Sequence, residues 1–350
     1  MFMRTAFTRL NRRSLVVELY QGLLGRYPDE RGLEHHANLL KNGESLATLA
    51  RGLVASDEFK KRQTGNGYEQ EPDGCLRSEA MEVFQQFEDR ERKSKPGFVT
   101  NFMGGVVDVR FIDWLAAMSG AVEGYPIPAN IHGYTIEWLG TLRSVLDAKT
   151  SYSIVELGAG WAPWCAVGYV AAKKMGIKDI SLIAVEGDRG KIPFIRENFE
   201  AHGIDESTTT IKYGVVGPRD GVAEFPDLSV DANVNYGMAA KFDKCENART
   251  IQVPAFTLET ILETSSSIDL LHCDVQGAEL DTFRQGMEVA KKKIKRVVIS
   301  THSHEIDKEL IGLFNGWICE GITSSEFIVP SILHKDGCQI WRNPLLTSQG

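Results

Sequence analysis

Four short stretches in the second half of the chain set acids, glycines and histidines at the ends of apolar runs. They are Glu156-Leu157-Gly158-Ala159-Gly160, Val185-Glu186-Gly187-Asp188, Asp274-Val275-Gln276-Gly277-Ala278-Glu279 and Thr301-His302-Ser303-His304. In an open α/β sheet, a buried strand that breaks into a glycine turn places backbone N–H groups beside a carboxylate at the strand's carboxyl end, where ligands bind. The first two stretches therefore have the make-up of a nucleotide pocket, and the last two that of an edge able to handle protons.

Glycine spacing separates the candidate nucleotides. A dinucleotide turn needs G-x-G-x-x-G, whose glycines let a pyrophosphate approach the backbone and a helix N-terminus. Gly158 and Gly160 are followed by Trp161, Ala162 and Pro163, so the third glycine is missing. Glu156, just ahead of the turn, would repel a pyrophosphate and suits a cationic ligand. S-adenosylmethionine carries an ammonium and a sulfonium and fits these electrostatics better than NAD, with Glu156, Gly158 and Gly160 at its amino acid end. Glu186 closes the next strand, where an acid can accept both hydroxyls of an adenosine ribose. Gly187 and Asp188 complete that turn, and Asp188 can act as a helix N-cap at the same time.

Period-2 alternation puts His272 and Asp274 on one face of their strand and Cys273 on the other. Asp274 and Gln276 then overhang the same edge as Glu156 and Glu186, and His302 emerges there from a neighbouring strand. A histidine of ordinary pKa can take a proton from a hydroxyl at neutral pH. His302 is accordingly expected as the catalytic base, with Asp274 orienting it or the acceptor, and Gln276, His304 and His132 as acceptor-holding residues. Two plainer roles stand beside these: a histidine at a strand end can be structural, and Glu279 can be a helix-start acid favoured by the dipole. Asp274, His302 and His304 could also hold a divalent metal, but no distinctive ligand spacing supports one, and no metal ligand is assigned.

The elements that must position these residues begin near residue 134, where helix and strand patterns alternate as in a parallel α/β sheet. Helices are expected over 134–146, 166–175, 193–202 and 279–290, and strands over 154–157, 182–185, 210–216, 267–273 and 296–301. Short apolar runs at 327–333 and 338–341 flank Lys335-Asp336-Gly337, a hairpin signal. A parallel sheet finishing in a hairpin contains an antiparallel strand, which a pure dinucleotide fold does not need and the class I methyltransferase sheet has.

The 350 residues carry a net charge of -8, with 43% hydrophobic and 25% charged residues, the balance of a soluble globular protein. That charge argues against broad binding to nucleic acid or acidic membrane. No stretch is apolar enough to span a bilayer, and no apolar core follows the basic residues 1–13. Six scattered cysteines without C-x-x-C spacing, of which Cys165 and Cys273 lie in apolar runs, point to reduced thiols and a cytoplasmic setting.

Three organisational units are expected: a helical module over 1–65, a linker and charged helix over 66–95, and a main domain over 96–350. Within the last, the aromatic-rich segment 96–133 can either cover the active site or pack on the sheet edge. Leu19-Tyr20-Gln21-Gly22-Leu23-Leu24-Gly25-Arg26-Tyr27-Pro28-Asp29 and Leu53-Val54-Ala55-Ser56-Asp57-Glu58-Phe59 resemble the small helical DUF4214 module, a possible docking unit for a protein partner.

The four stretches, with Asn130-Ile131-His132, Glu137-Trp138 and Asp336-Gly337-Cys338-Gln339-Ile340-Trp341-Arg342-Asn343-Pro344, resemble FkbM-family methyltransferases over about residues 96–345. One departure is Pro163 in the glycine loop. The resemblance implies a Rossmann-like fold, S-adenosylmethionine as methyl donor, and a hydroxyl acceptor on a sugar, glycan or natural product. An NAD-linked sugar oxidoreductase and a non-catalytic cofactor-binding scaffold remain as alternatives; the missing glycine and the terminal hairpin weigh against the first, and the joint presence of Glu156, Glu186, Asp274 and His302 against the second.

Overall fold

The computed structural model describes residues 12–24, 28, 30–56, 77–127, 130–227, 240, 250–323 and 336–347. Three helices come first: α1 (Arg12–Leu24), α2 (Glu30–Lys41) and α3 (Leu46–Ala55). Their apolar faces meet around Val16, Tyr20, Leu33, Leu49 and Leu53, as helical spacing predicts. Most of the linker before α4 (Arg77–Phe87) lies outside the described residues, as do Cys75 and Cys245.

The segment after α4 reads as loop in the sequence but holds a small hairpin. β1 (Phe98–Thr100) and β2 (Val106–Asp108) pair antiparallel, and a 3₁₀ turn follows at Asp113–Met118. Strands of three residues are too short to show alternation, which is why the sequence pattern missed them.

The main sheet begins beyond α5 (Thr135–Asp147). β3 (Ser151–Leu157), α6 (Pro163–Lys174), β4 (Asp179–Glu186), α7 (Ile192–Ala201) and β5 (Thr209–Tyr213) form successive parallel crossovers. Pro163 takes the first turn of α6, where its missing N–H would have been unpaired anyway, so it starts the helix without interrupting the glycine turn. The strand expected over 210–216 is instead cut at Gly214, whose φ is +150°; a Cβ there would lie 2.6 Å from the Pro254 carbonyl oxygen. Beyond it β6 (Val215–Val216), β7 (Gly221–Pro226) and β8 (Thr250–Phe256) make a separate three-stranded sheet. The chain returns through α8 (Leu258–Ile261), β9 (Leu270–Cys273), α9 (Glu279–Lys293), β10 (Arg296–Thr301), α10 (His304–Leu313), β11 (Ile318–Thr323), β12 (Gly337–Arg342) and α11 (Pro344–Thr347).

Strand order in the large sheet is β11-β12-β10-β9-β3-β4-β5. β12 runs antiparallel to both neighbours, so the expected antiparallel ending is present. One edge of β12 is taken by β10, with Thr301 opposite Gly337, and the other by β11, with Thr323 opposite Cys338. The apolar run expected over 327–333 lies outside the described residues.

Both faces of the sheet are covered, which explains its long apolar runs. Ile154, Leu182, Leu270 and Val298 pack toward α5, α6 and α7. Val155, Leu157, Leu271, Cys273 and Val297 pack toward α8, α9 and α10. Cys165 and Cys273 are buried free thiols, Cys338 is buried and Cys319 is exposed. Among the described residues no helix is long and apolar enough to cross a membrane.

Candidate active site

The acid–glycine turn after β3 is held from three sides. Gly158 and Ala159 both donate to the Val185 carbonyl at 3.0 Å. Gly158 and Gly160 have φ of +73° and +58°, and a Cβ on Gly158 would fall 1.8 Å from the Asp274 carbonyl oxygen. No side chain fits there, so this glycine is what lets the turn and the Asp274 loop touch. Ala162 is also left-handed, with φ +57°, a costly conformation for a residue with a Cβ. Buried Asn198 stabilises it by donating to the Trp161 and Ala162 carbonyls, at 2.8 and 3.3 Å.

Glu156, expected at the ligand, turns inward. It is 2% exposed, and its two carboxylate oxygens accept the N–H groups of Trp164 and Cys165 in the first turn of α6, at 3.3 and 2.8 Å. Burial pushes its pKa up to about 7, against the pull of His272 and those N–H groups. Its geometry anchors a helix N-terminus, the favoured end for an anion, and shapes the turn from behind.

Glu186 stands at the end of β4, one oxygen accepting from Gly160 N–H at 2.7 Å and the other from Asp188 N–H at 2.6 Å. Burial raises its pKa to about 7 also, with the two backbone donors opposing. A carboxylate has about four acceptor positions, so these donors leave capacity for two hydroxyls. Gly187 is needed because a Cβ would press on Val215 and Phe225 of the small sheet, at 2.7 and 3.0 Å. Asp188 caps the short 3₁₀ turn at Arg189–Lys191 through Gly190 N–H.

On the other side of Gly158, the Asp274 loop and the end of β10 meet. His302 Nε2 lies 3.3 Å from Asp274 Oδ1 and 3.8 Å from Asp336 Oδ1, while Nδ1 lies 2.8 Å from Glu279 Oε1. Gln276, itself left-handed at φ +56°, donates its side-chain amide to Asp274 Oδ1 at 2.7 Å. Burial works against charge on His302, but Asp274 and Glu279 outweigh it and lift its pKa to about 10. Burial likewise raises Asp274, yet hydrogen bonding and charge from His302 hold it below the usual carboxylate range. His302 is thus an imidazolium at neutral pH, and the free base that the sequence led us to expect is not the resting form.

His304 begins α10, two residues past His302, behind the Ser303 N-cap. His132 packs on Trp138 and Trp164, at ring distances of 5.2 and 6.3 Å. Burial, aided by repulsion from His202, drops its pKa to about 3, and its two buried ring nitrogens have no hydrogen-bond partner among the described residues. Asp274, Glu279 and His302 have one ligand atom each within 4.8 Å of one another, a spacing seen in metal-free clusters as well. Sequence reasoning passed over Asn198 and gave no contact to Glu279, because both act on groups distant in the chain.

The segment before α5 packs against α7 and Trp161, beside the glycine turn. Val106 N–H donates to His202 Nε2 at 3.1 Å, Arg110 bridges to Glu197 at 2.7 Å, and Phe111 lies 5.1 Å from Phe194 and 6.3 Å from Trp161 between ring centres.

A Rossmann-like sheet with an antiparallel strand near one edge, an acid–glycine turn and a second acid one crossover later is the architecture of class I methyltransferases. Comparison with known proteins agrees. The family model described as the methyltransferase FkbM domain matches residues 163–320, and the domain of unknown function DUF4214 matches residues 2–63. A protein of Jannaschia sp. (strain CCS1), provisionally named a methyltransferase, is 35% identical over 277 residues, 75% of this chain and 98% of its own. The chain belongs to the FkbM methyltransferase family and carries a DUF4214 domain at its N-terminus. Among solved structures, the methyltransferase FkbM from Methylobacillus flagellatus KT is similar at 10% identity and TM-score 0.39, over 90% of this chain and 71% of that one. A precorrin-6y C5,15-methyltransferase from Geobacter metallireducens GS-15 is similar at 10% identity and TM-score 0.33, over 58% and 86%.

Proposed function

We propose that this methyltransferase uses S-adenosylmethionine to methylate a hydroxyl of a sugar, glycan or natural product by direct in-line transfer. The observation that carries this reading is the contact at Gly158, which sets the turn bound to Glu186 directly against the loop bearing Asp274. Glu186 fits an adenosine ribose because its oxygens retain acceptor capacity, and the turn at Gly158 and Gly160 fits the amino acid end of the donor. Glu156 serves the donor through the turn it shapes, and Gly187 and Asp188 through the loop beyond Glu186. The donor supplies an already activated methyl group.

The protein's tasks are then to align an acceptor oxygen, exclude water and receive one proton. Since His302 holds its own proton, Asp274 is the better acceptor of that proton, with the imidazolium orienting it. A weak base suffices here, because the hydroxyl proton becomes acidic as the new C–O bond forms. Gln276 fixes the other side of Asp274, and His304 and His132 remain candidates for contacting the acceptor further out. We read residues 96–350 as the catalytic unit and segment 96–133 as its cover on the donor side, with the helical module as a docking unit.

Calorimetric titration tests the donor. S-adenosylhomocysteine is expected to bind tightly and NAD not to bind; the reverse would make the protein an oxidoreductase. Offering neutral glycosides and polyols with labelled donor tests the acceptor, and labelling only of amines would overturn the hydroxyl assignment.

A further inference from the structure

Glu279 is fully buried, at 0% exposure, yet it sits at the rim of the site in the first turn of α9. A helix-start acid ordinarily holds its own turn. This one does that and more. It accepts Val275 N–H at 3.2 Å and Gly277 N–H at 3.0 and 3.1 Å, and it also holds His302 Nδ1 at 2.8 Å, from a different strand.

Both sets of contacts lead to Asp274. The turn that Glu279 anchors contains Gln276 and Gly277, with φ of +56° and +106°, a conformation that needs outside support for the non-glycine residue. Gln276 in turn grips Asp274 Oδ1 at 2.7 Å. By the second route, Glu279 fixes the His302 ring, whose far nitrogen faces the same Asp274 oxygen at 3.3 Å.

We propose that Glu279 is a positioning residue for methyl transfer, bracing Asp274 from two sides through the Val275–Gly277 turn and through the His302 ring. This rests on the reading of Asp274 and His302 as the acceptor-side machinery. The groups facing His302 are Glu279 from α9, Asp274 from the end of β9 and Asp336 from the start of β12. Removing the charge of Glu279 weakens the hold on the imidazolium without touching either reacting partner.

The test uses Glu279→Gln, Glu279→Asp and His302→Ala in the full chain, with folding followed by thermal melting. Glu279→Gln is expected to lower kcat roughly 10- to 100-fold, the scale of a small misplacement of a reacting group, with KM for the donor unchanged. The alkaline limb of its kcat profile is expected to move to lower pH by about 1 to 3 units, together with the His302 titration seen by imidazole NMR. Glu279→Asp, which keeps the charge, is expected to recover part of both. Wild-type kcat and pH profile in Glu279→Gln, with His302→Ala inactive, would overturn the positioning role. Wild-type turnover in His302→Ala would instead overturn the underlying reading. If neither Glu279 variant folds, imidazole NMR of the wild type decides: a slowly exchanging His302 Nδ1 proton supports the Glu279 contact, and a freely exchanging one overturns the proposal.

Discussion

Glu186 and Asp274 stand at the ends of the two strands that flank β3, yet the fold holds them in opposite ways. Burial dominates at Glu186, where the donors are backbone N–H groups, and its pKa rises to about 7. At Asp274 burial is outweighed by His302, and the pKa falls. Neutral dipoles orient a carboxylate without fully offsetting its desolvation, whereas an opposite full charge does offset it. On the proposed reading, the donor half therefore gains from an incoming ligand that supplies hydrogen bonds to this carboxylate. The acceptor half has its countercharge built in and is set before any ligand arrives.

The comparison breaks most sharply if the acceptor half is removed alone. His302→Ala should lower turnover by about 10²-fold, the scale for misplacing the group that receives the proton, while S-adenosylhomocysteine affinity stays near wild type. Equal loss of both in rate and binding assays would mean that the halves are not separable. Gly158→Ala attacks the join between them. With a Cβ 1.8 Å from the Asp274 carbonyl oxygen, backbone must move, so a stability loss of about 3 kcal/mol in urea unfolding and loss of cofactor binding are expected. A stable variant that still binds would show that the turn and the Asp274 loop can part.

The glycine turn and the strand ends around it were legible in the sequence because their signals are local. An acid, two glycines and a second acid one crossover later each end a strand, and period-2 patterning carried Asp274 and His302 to the same edge. The charge on His302 was not legible. It depends on Asp274 and Glu279, which approach from positions 28 and 23 residues earlier in the chain. Glu156 was placed at the ligand because its neighbours in sequence are glycines, but its partners are N–H groups in the next helix, visible only once α6 docks. The small sheet was missed for a related reason: β6 continues the apolar pattern of β5, and only the positive φ of Gly214 shows that the chain has left the main sheet.

A smaller and more selective effect is expected from pH on the donor half. Because the folded pKa of Glu186 lies above its ordinary 4.5, this group favours folding fully below about 4.5, and the contribution is lost as pH rises through about 7. The ionised form is the better acceptor for ribose hydroxyls, so S-adenosylhomocysteine should bind more tightly at pH 8 than at pH 6, by at most about tenfold. Glu186→Gln should weaken binding at pH 8 by a similar factor and flatten the dependence. A pH dependence that survives this variant would have to come from another group near the donor turn, and the contrast between the two strand-end acids would fail.

The smallest effect should come from the cover. Arg110 is 65% exposed on its side chain, and its bridges to Asp108 and Glu197 lie in water, where such pairs contribute little. Phe111 is 3% exposed and packs with Trp161 and Phe194, so apolar burial is what holds this segment to the donor half. Arg110→Ala should therefore leave both the melting temperature and S-adenosylhomocysteine affinity unchanged within error, whereas Phe111→Ala should cost about 3 kcal/mol in unfolding measurements. If Arg110→Ala instead weakened binding as much as Glu186→Gln does, charge would be fastening the cover, and the donor half would share the acceptor half's dependence on ion pairs.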